Sequence, residues 1–143
     1  MHKRREIIAE LRQRLTALPK FHWVRNQRVP LDGQTGRKYP GITFFVESES
    51  TRTETIHVMP RPQDRILTVT VQVWMLNDSA DQEKIESDLD DYAQLVETAF
   101  SLGLSLVDVT NVQLLSTEMI VGEDDPRLHV AALTYQIDYS THE

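Results

Sequence analysis

The sequence predicts an α+β fold, a two-layer sandwich in which a mostly antiparallel or mixed β-sheet is covered on one face by two amphipathic helices. Two segments carry apolar residues at the helical period, and others alternate apolar and polar residues at the strand period. Strands also follow one another without an intervening helix, which favours antiparallel or mixed pairing. At 143 residues, 40% of them hydrophobic and 26% charged, the chain is expected to be one globular domain over residues 1–143.

The first helix is predicted over about His2 to Leu18, where Pro19 ends it. On a helical wheel, five apolar side chains form one stripe wide enough to face a core: Ile7, Ile8, Leu11, Leu15 and Leu18. Most of the basic residues flank this stripe. The helix is therefore expected to pack on one side and to be solvated on the other.

A long loop is predicted next. A short apolar strand is predicted around Phe21 to Val24. After it, residues 25–41 contain three glycines and two prolines and show neither period. Loops of this length are uncommon in compact domains and are often functional. The loop is therefore a candidate contact element.

Two strands are predicted over Ile42 to Glu47 and Arg65 to Leu76, with a weak edge strand near Ile56 to Met59 between them. The second strand alternates two sets of side chains: Leu67, Val69, Val71, Val73 and Met75 against Thr68, Thr70, Gln72 and Trp74. A period of two is typical of a sheet with one buried and one solvated face.

The second helix is predicted over about Ala80 to Leu102, with cap-forming residues before it and Gly103 after it. One stripe is apolar: Ile85, Leu89, Tyr92, Ala93, Val96, Ala99 and Phe100. The acidic residues face elsewhere. Two final strands, Val109 to Val121 and Leu128 to Tyr139, flank the turn GEDDP at residues 122–126, and the second has one apolar face: Ala131, Leu133, Tyr135, Ile137 and Tyr139.

Charge is divided unevenly along the chain. Residues 1–65 hold thirteen Lys/Arg against seven Asp/Glu, or +6, whereas residues 66–143 hold two against fifteen, or −13; the sum is the net charge of −7. The basic residues lie on the first helix and in the long loop, and the acidic residues lie largely on the second helix and in the GEDDP turn. This division is consistent with pairing within a subunit and with contact between neighbouring subunits.

The sequence excludes several chemistries. Without cysteine there is no disulfide, thiolate metal site or cysteine nucleophile. No apolar run approaches the eighteen or so residues of a membrane span, so a soluble protein is expected. Charged residues interrupt the N-terminal apolar positions, which favours mature protein over a signal peptide. No cofactor is indicated.

Candidate metal and nucleotide sites are weak. The five histidines share no ligand spacing, and His129 is expected to lie at the surface or to have its polar atoms satisfied. GQTGRK at residues 33–38 lacks the Ser/Thr and the following helix of a phosphate loop. The acids of GEDDP, and those at Asp88, Asp90 and Asp91, are expected to be solvated rather than metal ligands.

No nucleophile, base or carboxylate pair of a known enzyme motif occurs, so we expect no enzyme. The alternative function is a small nucleic-acid-binding module. It would use the basic N-terminal helix and loop, with Phe21, Trp23 and Tyr39 stacking on bases. The sequence pI of about 5.2 opposes this function, although the local excess of positive charge does not.

Taken in order, the segments resemble the tail terminator proteins of long-tailed phages, the minor tail protein U type and its prophage relatives. The resemblance covers nearly the whole chain. The segments that carry it are IIAELRQRLTAL, GQTGRKYPGITFFV, DRILTVTVQVWM, ADQEKIESDLDDYAQLVETAF and HVAALTYQIDY.

The resemblance implies a non-enzymatic α+β protein that assembles as a ring, commonly a hexamer, on the end of the tail tube. There it stops polymerisation and offers a surface for the head-completion protein. It also implies assembly in the bacterial cytoplasm and a final location in the virion tail. A ring uses heterologous contacts, which suit a basic surface meeting an acidic one. The candidate interaction residues are Arg25, Arg28, Arg37, Lys38, Glu86, Asp90 and Asp91, the basic ones meeting the acidic ones across a subunit or tube boundary.

Overall fold

The computed structural model describes residues 3–26, 39–51, 62–77, 79–100, 109–121 and 127–142. Its elements in chain order are α1 (Lys3–Thr16), β1 (Val24–Asn26), β2 (Gly41–Thr51), β3 (Pro62–Leu76), α2 (Gln82–Phe100), β4 (Val109–Val121) and β5 (Leu128–His142). The strands form one sheet in the order β1-β2-β3-β5-β4. β1 is parallel to β2, and the other neighbours are antiparallel, so the predicted mixed sheet is confirmed.

Both helices pack on one face of this sheet, which we call the helix face. The predicted stripes are confirmed, since α1 buries Ile7, Leu11 and Leu15 and α2 buries Ile85, Leu89, Ala93, Val96 and Phe100. The sheet side of this core includes Ile42, Phe44, Leu67, Val69, Val71, Val73, Leu133, Tyr135, Ile137 and Tyr139. The two-layer α+β arrangement follows from this packing, because each amphipathic element covers its apolar side with another.

The opposite face, which we call the outer face, is not the solvated surface that the alternation in β3 predicts. Trp74 and Val130 are fully buried on it, and Thr43 and Thr70 are buried beside them. Trp74 and Val130 form a small second cluster with Leu128, against which the half-buried Trp23, Tyr39 and Ile120 pack. A period of two therefore located the faces correctly, but it did not show that part of the second face is also covered.

The element ends differ slightly from the predicted ones. α1 ends at Thr16 rather than Leu18. Leu18 precedes Pro19, and the residue before a proline is disfavoured in the helical region. Beyond the proline, Lys20 adopts a φ of 78°. α2 begins directly after Asp81, whose carboxylate accepts a hydrogen bond from the Glu83 amide at 3.1 Å.

The predicted short strand lies slightly further along the chain, because β1 covers Val24–Asn26 and so includes the first two residues of the predicted loop. The Ile42 amide donates to the Trp23 carbonyl at 2.9 Å, and Arg25 pairs with Thr43 in the parallel β1–β2 ladder. The rest of that loop, the weak strand near Ile56 to Met59 and the GEDDP turn lie outside the described residues.

Candidate assembly interface

The acidic candidates lie together on α2. Glu86, Asp90 and Asp91 are exposed on the side of the helix away from the sheet, because the apolar stripe turns the other side toward the core. Gln82 donates to the Glu86 carboxylate at 3.4 Å. Among the described residues, no Lys or Arg forms an ion pair with these three carboxylates. They form an exposed acidic surface.

Arg25 lies on the other side of the molecule. Its strand, β1, is an edge strand, and Val24 packs against the main core on the helix face. Since successive side chains of a strand alternate, Arg25 projects on the outer face, and its ladder partner Thr43 is on that face too. The sheet thus separates Arg25 from the acidic surface of α2. Arg28, Arg37 and Lys38 lie outside the described residues.

The basic residues of α1 have acidic partners nearby. Lys3 pairs with Glu6 at 2.9 Å and Arg14 with Glu10 at 3.0 Å. Arg4 reaches the Glu49 carboxylate of β2 at 3.2 Å. All three acids belong to the positively charged half of the chain, so these cations are balanced locally rather than by the acidic surface of α2.

Two polar contacts tie α1 to the rest of the fold, and the first is the ion pair between Arg4 and Glu49. The Glu49 carboxylate also lies 3.6 Å from Arg65 and accepts a hydrogen bond from the Tyr139 hydroxyl. At the other end of α1, Arg14 donates to the Ala99 carbonyl at 2.9 Å. A cation at the C-terminal turn of α2 is favoured by the helix dipole and by the carbonyls that lack helical partners there.

A cleft of about 300 Å³ lies where β3 ends, lined partly by Lys20, Asn77, Asp88 and Asp91. Asp88 accepts a hydrogen bond from Asn77 at 2.9 Å. Within the described ranges, no group of three or more His, Asp or Glu side chains is arranged to hold a metal ion. The helices described there include none that is long and apolar enough to cross a membrane.

Two polar side chains on β5 are buried with an atom that has no hydrogen-bond partner among the described residues. His129 is 6% exposed and its Nε2 atom has no hydrogen-bond partner among the described residues, so the expectation of a surface or fully satisfied histidine is wrong. Its position on β5 between Met75 and Val121 explains the burial. The Tyr135 hydroxyl is also buried without a described partner. Burial, with a smaller contribution from Glu97, raises the pKa of the Tyr135 phenol well above its ordinary value.

The sequence interpretation missed the edge strand β4 as a candidate contact surface. β4 is thirteen residues long and lies at the end of the sheet order. Among the described residues, the exposed large apolar side chains are Leu76, Leu115, Met119 and Val121, and three of these four belong to β4. The signal was present in VTNVQLLSTEMIV, which has one charged residue and no proline or lysine.

Solved structures resemble the chain, whereas family models and curated proteins do not. No protein-family model matches the chain. No curated protein matches it. Among solved structures it is similar to a chain of the virion of a native gene transfer agent particle, with 13% identity, 93% of each chain covered and a TM-score of 0.48. A likeness of this extent establishes no function, and the proposals below depend on the residues of the chain itself.

Proposed function

We propose that this chain is a single-domain, non-enzymatic structural protein of a phage or prophage, similar to tail terminators. It forms a hexameric ring that caps the tail tube, stops its polymerisation and provides the surface for the head-completion protein. The resemblance of its ordered segments to that family suggests this role. The protein would act without a cofactor, assembling in the cytoplasm of the bacterial host and ending in the virion tail.

The observation that carries the proposal is the position of unbalanced charge on opposite sides of one subunit. Arg25 is exposed at the β1 edge on the outer face, and the acidic surface of α2 lies on the far side of the sheet. A heterologous contact joins two different patches of neighbouring subunits, so a patch at each side is what a closed ring requires. The loop residues Arg28, Arg37 and Lys38 would meet Glu86, Asp90 and Asp91 across a subunit or tube boundary, and Arg25 would lie at a subunit boundary as well.

The nucleic-acid alternative receives less support. Lys3, Arg4 and Arg14 of α1 each lie within an ion pair, which reduces the field that this helix offers to phosphates. Phe21 packs against Tyr92 at a centroid distance of 5.8 Å, and Trp23 packs against Tyr39 at 6.1 Å. These rings therefore already have partners within the fold.

Native mass spectrometry across a salt series tests the ring. We expect a closed oligomer at low ionic strength and its loss as salt rises, because exposed ion pairs are screened. Asp90→Asn with Asp91→Asn should weaken the oligomer, whereas Glu97→Gln, an exposed carboxylate of the same helix outside the candidate set, serves as the matched control. A chain that stays monomeric at high concentration and low salt would contradict the ring. Steeply salt-dependent binding to a nucleic acid would favour the alternative.

A further inference from the structure

The strand β4 lies at one edge of the sheet and is long and largely uncharged. Edge strands expose unpaired backbone groups, and stable monomers protect them with lysine, proline, β-bulges or very short length. β4 has thirteen residues, no lysine or proline, and Glu118 as its one charged residue. Its two register irregularities, at Val109/Asn111 and Leu114/Ser116, leave residues 116–121 as a regular segment at the edge. Met119 and Val121 are 43% and 51% exposed. Such an edge favours pairing with a second chain.

The other edge of the same sheet has a complementary strand direction. β4 runs antiparallel to β5, β5 to β3 and β3 to β2, while β1 is parallel to β2. β1 and β4 therefore run in opposite directions at the two edges. If neighbouring subunits are related by rotation about an axis along the strands, β4 of one subunit meets β1 of the next as an antiparallel pair.

The register of that pair follows from rows of residues that cross the sheet. One row, which we call the charged row, consists of Arg25, Thr43, Gln72, Ala132 and Glu118. The row begins at Arg25, the one charged residue of β1, and ends at Glu118, the one charged residue of β4. These two side chains carry opposite charge and lie on the outer face. Closed rotational symmetry has no translation along its axis, so the end of a row at one subunit meets the start of the same row at the next.

The adjacent rows match as well. Val24, Ile42, Val73, Ala131 and Met119 form the row on one side of the charged row, and Asn26, Phe44, Val71, Leu133 and Thr117 form the row on the other. The same register therefore places apolar Val24 opposite Met119 on the helix face, and polar Asn26 opposite Thr117. Cross-strand pairs of like polarity and opposite charge are the pairs that stabilise a sheet.

We propose that β4 of one subunit pairs antiparallel with β1 of the next, with Arg25 opposite Glu118. This inference rests on the proposed ring and gives its subunit contact a location. It assigns Arg25 to Glu118 and leaves the loop cations for the acidic surface of α2. The sheet then continues from subunit to subunit around the ring.

Cysteine cross-linking tests this register, because the native chain has no cysteine. The test variant combines Val24→Cys with Met119→Cys. Within a subunit these positions lie at opposite edges, four strand spacings or about 19 Å apart. A disulfide needs Cα atoms about 4 to 7 Å apart, so only a bond between subunits can form. Mild oxidation should give a ladder of covalent oligomers that a reductant collapses.

The matched control combines Val24→Cys with Val112→Cys. Val112 lies on β4 and on the helix face, as Met119 does, but six ladder positions away, since it pairs with Ile137 whereas Met119 pairs with Ala131. This control should give no ladder. Met119→Cys alone should stay monomeric on the denaturing gel; a dimer there would mean two-fold pairing of β4 with itself and would overturn the proposal. Circular dichroism of each variant checks that it folds.

Charge exchange gives a second, independent measurement. Arg25→Glu and Glu118→Arg should each weaken association by about tenfold or more, since like charges then face each other, and the double variant should recover it. Rescue of Arg25→Glu by Asp90→Lys instead would place Arg25 against α2 and overturn the edge pairing. A salt-sensitive ring with no ladder and no response to Glu118→Arg would overturn the edge pairing alone. A chain that forms no oligomer at all would overturn the ring as well.

Discussion

Replacing Tyr135 with phenylalanine is expected to stabilise the protein. Tyr135 is 4% exposed, and its ring packs edge to face against Phe100 with centroids 4.8 Å apart. Its hydroxyl has no hydrogen-bond partner among the described residues. The variant keeps the ring and its packing while removing the unpaired polar atom.

The size of the effect follows from the cost of burying a hydroxyl without a partner. Mutational data place this cost at about 1–3 kcal/mol, and loss of one oxygen atom leaves little empty space. We therefore expect Tyr135→Phe to raise the free energy of unfolding by about 1–2 kcal/mol. For a chain of this length the melting temperature should rise by about 3 °C for each kcal/mol.

The effect should also depend on pH. Because the folded pKa of Tyr135 is raised, the folded state holds the phenolic proton at pH values where the unfolded chain, with a pKa of about 10, releases it. The stability that this proton gives to the wild type is fully present below about pH 10 and is lost as pH rises through the raised folded pKa. Linkage therefore predicts that the stability difference in favour of Tyr135→Phe grows by about 1 kcal/mol at pH 11.

Urea unfolding at pH 7 and at pH 11, at one protein concentration, measures both effects. The matched control is Tyr139→Phe, since the Tyr139 hydroxyl donates to the Glu49 carboxylate. Hydrogen bonds to charged groups contribute about 1.5–3 kcal/mol, so this variant should lose stability. If Tyr135→Phe loses as much stability as Tyr139→Phe, or if its advantage does not grow with pH, the hydroxyl has a partner and the reasoning fails.

Two further substitutions test contacts that organise the fold. Arg14→Gln removes the cation that donates to the Ala99 carbonyl and should lower the free energy of unfolding by about 1–2 kcal/mol, measured by thermal or urea unfolding. The control, Arg12→Gln, replaces an exposed arginine and should change it by less than about 0.5 kcal/mol. Equal effects of the two variants would contradict a specific contact at the end of α2. Thr43→Val keeps the side-chain shape but leaves the buried Trp74 indole N–H, now 2.8 Å from the Thr43 hydroxyl, without an acceptor, and should cost about 1–3 kcal/mol. An unchanged unfolding midpoint would show that the indole finds another acceptor.

The parts of the fold that depend on local periodicity could be predicted from the sequence. The stripe of α2 places Ile85, Leu89 and Val96 on one side at the helical period, and all three are buried. Val109 to Val121 was predicted with the bounds that the strand has. Both depend on neighbours within a few residues, which the sequence shows directly.

The parts that depend on distant residues could not be predicted. Trp74 occupies a polar position in the alternation of β3, and it is buried because Leu128 and Val130, more than fifty residues away, pack beside it. The short strand predicted around Phe21 to Val24 lies instead at Val24–Asn26, because pairing with the backbone of β2 sets its position. Of the candidate interaction residues, the exposure of Arg25, Glu86, Asp90 and Asp91 fits the prediction, but their pairing stays a proposal.

The charge division of the chain has a structural basis once contacts are known. Glu10 and Glu49 pair with Arg14 and Arg4, so these two cations have acidic partners within the N-terminal half of the chain. Arg25 is separated from α2 by the sheet, yet it shares a row with Glu118 at the opposite edge. Within one subunit the two ends of that row are too far apart to pair, whereas rotation to a neighbour in the proposed ring would bring them together. We therefore propose that the described charges left unbalanced in one subunit are balanced at the subunit boundaries of that ring.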